Sequence, residues 1–138
     1  MENQHLPIVT QMFDNDAFSQ WLGIERLEER PGYAKVKMQV RQEMTNGFDV
    51  AHGGISFSLA DSAFAFASNS RGKHAVSIDC SINHLKPVHT DDILIAEAKE
   101  ESCSAKLATY IVRVTNQDQA LVALFKGMVY RTNKDWEV

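Results

Sequence analysis

The chain has 138 residues, a formal net charge of −4, 44% hydrophobic residues and 23% charged residues. This length suits one domain with its own core, and we take residues 1–138 as a single domain. The negative balance argues against a general attraction to nucleic acid or to an anionic membrane. The start lacks a secretory signal, and Cys80 and Cys103 lack metal-ligand spacing, so we expect a reduced cytoplasmic protein without a metal or cofactor.

The sequence before residue 52 predicts a helix followed by a β-hairpin. Apolar residues recur at roughly helical spacing at first, and they then alternate with polar residues. The expected elements are a helix between Ile8 and Leu22 with Gly23 as its C-cap, a strand over 24–29, a turn at 30–32, a half-buried strand over 34–40 and a loop over 42–51.

The segment from Gly53 to Ser70 predicts a long buried helix. It is rich in alanine, serine and phenylalanine, and Asp61 is its only charged residue. Eighteen residues would form a helix about 27 Å long. Because apolar side chains surround nearly the whole circumference, the helix should be buried on most sides. It is too interrupted by serines and Asp61 to span a bilayer.

Everything after Gly72 predicts strands. The expected strands are an alternating one over 76–82, one beginning at 93–96, one over 106–115 and one over 120–131, with polar turns at 100–105 and 116–119. A hairpin, a helix and then a meander of about four strands indicate a segregated α+β fold. The long helix would pack against a curved antiparallel sheet. Cys80, on the apolar face of the first of these strands, is expected to pack in the core.

Gly53 and Gly54 lie where the long helix should begin. The first N–H groups of a helix lack internal partners and carry the positive end of its dipole. Glycine lets a ligand approach that backbone, so this end could hold an anion or a developing oxyanion. The same two glycines could equally serve only to relax a tight junction between loop and helix.

Asp61 is either a structural carboxylate, capped by Ser58 or Ser62 or lining a polar seam, or a general base or nucleophile. Eight residues separate it from Gly53, which is about 12 Å along one helix. Groups acting on one carbonyl must lie within about 3–3.5 Å of the reacting atoms. One helix cannot satisfy this, whereas two antiparallel copies about a two-fold axis can. A catalytic Asp61 therefore predicts an obligate dimer.

These residues resemble the hotdog-fold acyl-CoA thioesterases, and within them the PaaI-type branch. The similarity is carried by His52-Gly53-Gly54 with an aspartate eight residues later, and it extends through 46–47, 59–61, 64–65, 69–70, 85–87 and 122–127. The resemblance implies a long helix wrapped by five or six strands. It also implies homodimers with active sites at the subunit interface, which associate into dimers of dimers.

The resemblance further implies a reaction and a role for each matching residue. It implies hydrolysis of acyl-CoA, with an aryl or arylacetyl group, to acid and free CoA, in phenylacetate degradation; CoA enters only as part of the substrate. The implied roles are a carbonyl-binding N–H at Gly53 beside Gly54, attack or water activation by the partner's Asp61, a thioester contact at Asn46, loop orientation by His52 and water positioning by Ser77. Apart from the resemblance, Lys86 ends a predicted strand and is the cation that we expect to meet a CoA phosphate.

Two other functions fit the same residues. A hotdog hydratase or dehydratase would use a histidine with the carboxylate, and His52 is the nearby candidate. A non-catalytic acyl-CoA binding module would use the scaffold without turnover. His74, His84 and His89 show no metal-ligand spacing, and scattered cations such as Arg71 and Arg113 are most simply surface charges.

Overall fold

The computed structural model describes residues 5–138. In chain order the elements are α1 (Pro7–Asp14), α2 (Ala17–Leu22), β1 (Glu25–Arg30), β2 (Tyr33–Gln39), a 3-10 turn (Gln42–Met44), α3 (Gly53–Asn69), β3 (Lys73–His84), β4 (Ile93–Cys103), β5 (Leu107–Thr115) and β6 (Leu121–Asp135). The α+β class and the long helix are confirmed. The sheet has six strands, at the upper limit of the expected number.

The opening segment forms two helices rather than the single one predicted. α1 ends at Asp14, and Asp16 begins α2 by accepting a hydrogen bond from Ser19 N at 2.9 Å. The carboxylate satisfies an N–H group that a helix start would leave free. Gly23 ends α2 in the left-handed conformation, with a φ of 77°, as its predicted C-cap role requires.

α3 packs its length across one face of the sheet. Most of its side chains from Ser56 onward are buried, whereas Gly53 and Gly54 are exposed. Phe64 is buried against Tyr110 of β5 and Phe125 of β6, with ring centroids 5.9 and 5.5 Å apart. Edge-on aromatic contacts of this kind hold the helix at a fixed height above the sheet.

No helix among residues 5–138 has the length and apolar character needed to cross a membrane.

The sheet is antiparallel, with strand order β1-β2-β4-β5-β6-β3. The expected four-strand meander is therefore wrong in one respect. β4, β5 and β6 follow one another, but β3 pairs with β6 at the far edge. The long helix separates the first hairpin from β3, so β2 can pair with β4, and β3 can lie on the opposite edge.

β3 is the element that departs most from its predicted burial. Its alternation predicts one buried face, yet Val76 and Ile78 are 52% and 54% exposed. Cys80 and Ile82 do pack against the core, as expected for Cys80. β3 lies at the edge of the sheet, and within residues 5–138 nothing packs fully over Val76 and Ile78. The apolar pattern along β3 is thus real, but half of it faces outward.

Candidate active site

The N-terminus of α3 is held by backbone hydrogen bonds from two neighbouring segments. His52 N donates to Met44 O at 2.9 Å, and Ala51 N donates to Val88 O at 2.7 Å. His52 is the N-cap residue, but its side chain makes no capping bond. Gly53 N therefore begins the helix as an exposed donor without an acceptor among the described residues. The arrangement leaves a helix N-terminus open to a ligand.

A cleft of about 340 Å³ opens beside this N-terminus. Its walls are residues 50–51, Gly53, Ser56 and residues 84–88. The segment after β3 is fixed there because Leu85 N and Lys86 N both donate to Val122 O, at 2.8 and 3.3 Å. Lys86 is exposed, so a cation lies at the edge of the cleft. Two of the predicted site residues, Gly53 and Lys86, thus line the same cleft.

Asp61 lies half-buried in the middle of α3 and makes no side-chain hydrogen bond within residues 5–138. Burial raises the pKa of its carboxyl group above the usual value, and the nearby charge of Asp16 raises it further. Neither Ser58 nor Ser62 caps it; Ser62 instead shares a hydrogen bond of 2.8 Å with Ser19. A carboxylate without donors and with a raised pKa is a better base than an ordinary one.

Ser77 and Cys80 are neighbouring polar groups on β3, and Cys80 lies near Asp61. The Ser77 hydroxyl is 3.2 Å from the Cys80 sulfur. Burial raises the pKa of the Cys80 thiol, and the charge of Asp61 is a further cause of the same sign. The Asp61 carboxylate is thus close to Cys80, and Ser77 contacts Cys80 in turn. A β-bulge between Ser77 and Asp79 interrupts the pairing with β6 at this point.

Asn46 is half-buried in the loop before α3, where it organises the chain. Its side-chain oxygen accepts hydrogen bonds from Phe48 N at 2.9 Å and Val50 N at 3.4 Å, and its own N–H donates to Val50 O. This is an Asx-type turn. Asn46 therefore shapes the loop that delivers His52 and Gly53.

The predicted residues fall into two groups. His52, Gly53, Gly54 and Lys86 lie at the helix N-terminus and its cleft, whereas Asp61 is two helical turns away and does not line that cleft. The eight intervening residues rise about 12 Å. Within one chain the carboxylate and the free N–H cannot act on the same atom. The separation expected from the sequence is thus present in the structure.

His84 is the residue that the sequence did not single out as part of this site. It ends β3, and its imidazole lies directly against Gly53 in the cleft wall. No spacing in the sequence connects positions 53 and 84. The sequence does indicate that the alternating strand ends just before Leu85-Lys86-Pro87. It does not indicate that this strand end lies beside the start of α3.

Comparison with known proteins finds similar sequences and a similar fold among esterases and thioesterases. Acyl-coenzyme A thioesterase PaaI of Escherichia coli is 42% identical over 120 residues, which cover 87% of this chain and 86% of that protein. A presumed esterase of Archaeoglobus fulgidus is 49% identical over 125 residues, covering 91% and 81% of the two chains. A solved structure of E. coli PaaI has a TM-score of 0.89 at 39% identity and covers 93% of this chain and 96% of its own.

A long helix packed across a six-stranded antiparallel sheet is the hotdog architecture, and together with the thioesterase relatives it identifies a hotdog-fold thioester hydrolase. The sequence profile described as the thioesterase superfamily matches residues 48–123, from the loop before α3 to the start of β6. The chain belongs to the thioesterase superfamily. The family resemblance noted from the sequence is confirmed.

Proposed function

We propose that this protein is a cytoplasmic enzyme that hydrolyses acyl-CoA thioesters to the free acid and CoA. The observation that carries the proposal is the unpartnered N–H of Gly53, which opens onto the cleft beside Lys86. A hypothetical thioesterase protein of Streptococcus pneumoniae, solved with coenzyme A, supports it, with a TM-score of 0.86 at 27% identity over 92% of this chain and 99% of that chain.

Gly53 would stabilise the charge that develops during the reaction. When water or a carboxylate adds to the thioester carbon, the π-electron pair of the carbonyl group moves onto its oxygen. A backbone N–H at the positive end of α3 is already oriented toward that charge and needs no reorganisation. Gly54, with open space around its Cα, can offer a second N–H from the same turn. His52 would orient this turn through its backbone bond to Met44.

Asp61 would come from a second copy of the chain. Its raised pKa suits a base that takes a proton from water, and attack on the carbonyl is the alternative role for the same group. Ser77 would position the water. Asn46 would contact the thioester from the loop before α3. In each shared site one chain provides the cleft, and its partner provides the carboxylate.

The two sheet edges differ in a way that favours dimerisation through β3. Along β1, five of the six residues from Glu25 to Arg30 are charged, which discourages pairing with another strand. Along β3, Val76 and Ile78 are exposed and apolar. Pairing two β3 strands about a two-fold axis would continue the sheet and place two α3 helices side by side. Two such dimers would then associate into a tetramer.

The proposed substrate is inferred from the charge of Lys86 and from the description of a similar protein. Lys86 at the edge of the cleft would meet a CoA phosphate, where an ammonium acts as a point charge. The E. coli PaaI structure is described as coming from the phenylacetic acid degradation operon, so phenylacetyl-CoA and other aromatic thioesters are the first substrates to test. A place in phenylacetate breakdown follows only if these are preferred.

Thiol release from a panel of acyl-CoAs tests the activity. We expect hydrolysis of aromatic thioesters and a loss of at least about 100-fold in kcat for Asp61→Asn, with Asp118→Asn in an exposed turn as the matched control. Binding of acyl-CoA without turnover would indicate a binding module. Hydration of an enoyl-CoA would indicate the hydratase alternative. Near-normal hydrolysis by Asp61→Asn would remove this residue from the mechanism.

Two variants of Gly53 isolate its N–H group. Gly53→Ala and Gly53→Pro both add a Cβ facing His84, but only proline removes the donor. Proline is well tolerated at the first helical position, and the extended backbone of His52, with a φ of −54° and a ψ of 140°, suits a residue before proline. We expect the proline variant to lose much more activity than the alanine variant while remaining folded.

Mixing inactive variants tests whether the site is shared. A dimer of one Gly53→Pro chain and one Asp61→Asn chain contains one site with both groups intact and one with neither. Random exchange of equal amounts would restore about a quarter of wild-type activity. If both groups acted within one chain, no mixture would recover. Ile78→Lys should abolish the dimer and the activity together, whereas Leu107→Lys, also exposed, should change neither.

A further inference from the structure

His84 occupies the place that a side chain on Gly53 would take. A Cβ atom placed on Gly53 would lie 2.8 Å from His84 Nε2 and 3.2 Å from His84 Cε1. Ordinary carbon contacts begin at about 3.5 Å, so the imidazole already touches the Gly53 backbone. The ring atom closest to that Cβ position is the nitrogen Nε2. A hydrogen-bonding group therefore lies beside the peptide unit that presents the free N–H.

The two groups are brought together by separate parts of the fold. His84 is the last residue of β3, where it pairs with Ala123 of β6, and Leu85 N is fixed to Val122 O. Gly53 is fixed through the loop bonds that precede α3. Each group is thus anchored independently of the other, and a ligand does not have to assemble them. This is the preorganisation that an oxyanion site needs.

Neither group is used elsewhere in the part of the chain that the structure describes. Within residues 5–138 the His84 ring has no hydrogen-bond or ion-pair partner, and it faces the cleft. Gly53 N–H also has no acceptor there. His5, which is exposed, and His74, which is half-buried, are by contrast engaged with Arg26 O and the Trp136 ring. Two free polar groups therefore converge on one end of the cleft.

We propose that His84 donates a second hydrogen bond to the thioester oxygen, through Nε2–H, alongside the N–H of Gly53. This rests on the proposed function and adds a catalytic residue to it. As the new C–O bond forms, the carbonyl pair moves onto oxygen and is held by both donors. The pair then returns as the C–S bond breaks, and sulfur leaves as the CoA thiolate, which takes up a proton. His84 keeps its own proton throughout.

Four substitutions separate hydrogen bonding from shape. His84→Phe keeps a planar ring against Gly53 but removes the donor, His84→Gln keeps an N–H of similar reach, and His84→Ala removes both. We expect kcat to fall about 100-fold in the phenylalanine and alanine variants, with KM changed less than about threefold, and glutamine to recover much of the loss. His89→Phe, outside the cleft, is the control and should match the wild type.

Binding of two unreactive analogues gives a second readout that does not depend on turnover. In one analogue a methylene group replaces the thioester sulfur and the carbonyl remains; in the other a thioether lacks the carbonyl. His84→Phe should weaken binding of the first about tenfold and leave the second unchanged, since only the first offers an oxygen to the donor. Equal effects on both analogues would overturn the proposal.

The outcomes also distinguish this inference from the function on which it rests. Wild-type kcat in His84→Phe, with Asp61→Asn inactive, would overturn the role of His84 and leave the thioesterase proposal intact. A phenylalanine variant as active as the wild type beside an impaired alanine variant would make His84 only a wall of the cleft. Absence of acyl-CoA hydrolysis by the wild type would overturn both.

Discussion

Gly127→Ala is expected to destabilise the protein, because the Phe64 ring of α3 lies directly over this glycine of β6. A Cβ on Gly127 would lie 2.7 Å from Phe64 Cζ, 2.8 Å from Phe64 Cε1 and 2.9 Å from Phe125 Cε1. Optimal carbon contacts begin at about 3.5 Å, so the three ring atoms would have to retreat by at least about 0.6–0.8 Å. The glycine thus sets how closely α3 can approach the sheet.

The rings have little room to move. Phe64 and Phe125 are at most 1% exposed, and Phe125 is backed by Phe57 at a centroid distance of 5.3 Å. Overpacking of a filled core costs about 1–3 kcal/mol, and three simultaneous clashes place this site near the upper end. Restricting the unfolded chain returns about 0.4–1 kcal/mol. The net loss in the free energy of unfolding should be about 2 kcal/mol.

Urea unfolding at fixed protein concentration measures this loss. Gly47→Ala is the matched control, because a Cβ there meets nothing within 4 Å, and it should change the free energy of unfolding by less than about 0.5 kcal/mol. In a Phe64→Leu background, which removes two of the three clashing ring atoms, Gly127→Ala should cost less than about 1 kcal/mol. An unchanged urea midpoint for Gly127→Ala, or the same cost in both backgrounds, would refute the reasoning.

Three further predictions concern charged and polar groups. Burial raises the pKa of Asp61, so ionisation of this carboxyl group favours the unfolded chain. Asp61→Asn should therefore raise the urea midpoint at pH 7. The gain should vanish below about pH 4, where the carboxyl group of the unfolded chain is also protonated. Equal midpoints at pH 7 would contradict this. Arg26→Met would remove the two hydrogen bonds, of 2.6 and 2.8 Å, that the guanidinium donates to the buried Glu29 carboxylate. The free energy of unfolding, measured by thermal unfolding, should fall by about 3 kcal/mol, and a loss under about 1 kcal/mol would contradict this. Trp136→Phe keeps an aromatic ring but loses the 2.9 Å bond to Asn69 Oδ1, and it should lower the free energy of unfolding by about 1 kcal/mol; an unchanged urea midpoint would be the contrary result.

Local pattern was enough to place most elements. The small and apolar residues after His52 predicted a helix over 53–70, and α3 ends at Asn69. The prediction succeeded because helix formation here depends on the composition of the segment and on the glycines at its start, which are all local features. Alternation placed the later strands for the same reason. The failure at Asn15–Asp16 is also informative. Apolar spacing continues through that break, but the Asp16 carboxylate starts a new helix by binding Ser19 N.

The sequence by itself determined that one carboxylate, Asp61, stands in a buried helix eight residues after a glycine that can present a free N–H. Helical rise then fixes their separation at about 12 Å, whatever surrounds them. Only the tertiary structure decided that β3 pairs with β6 at an edge and that His84, at its end, touches Gly53. Strand order and contacts between residues 31 positions apart depend on pairing and packing across the whole chain, and no local periodicity encodes them.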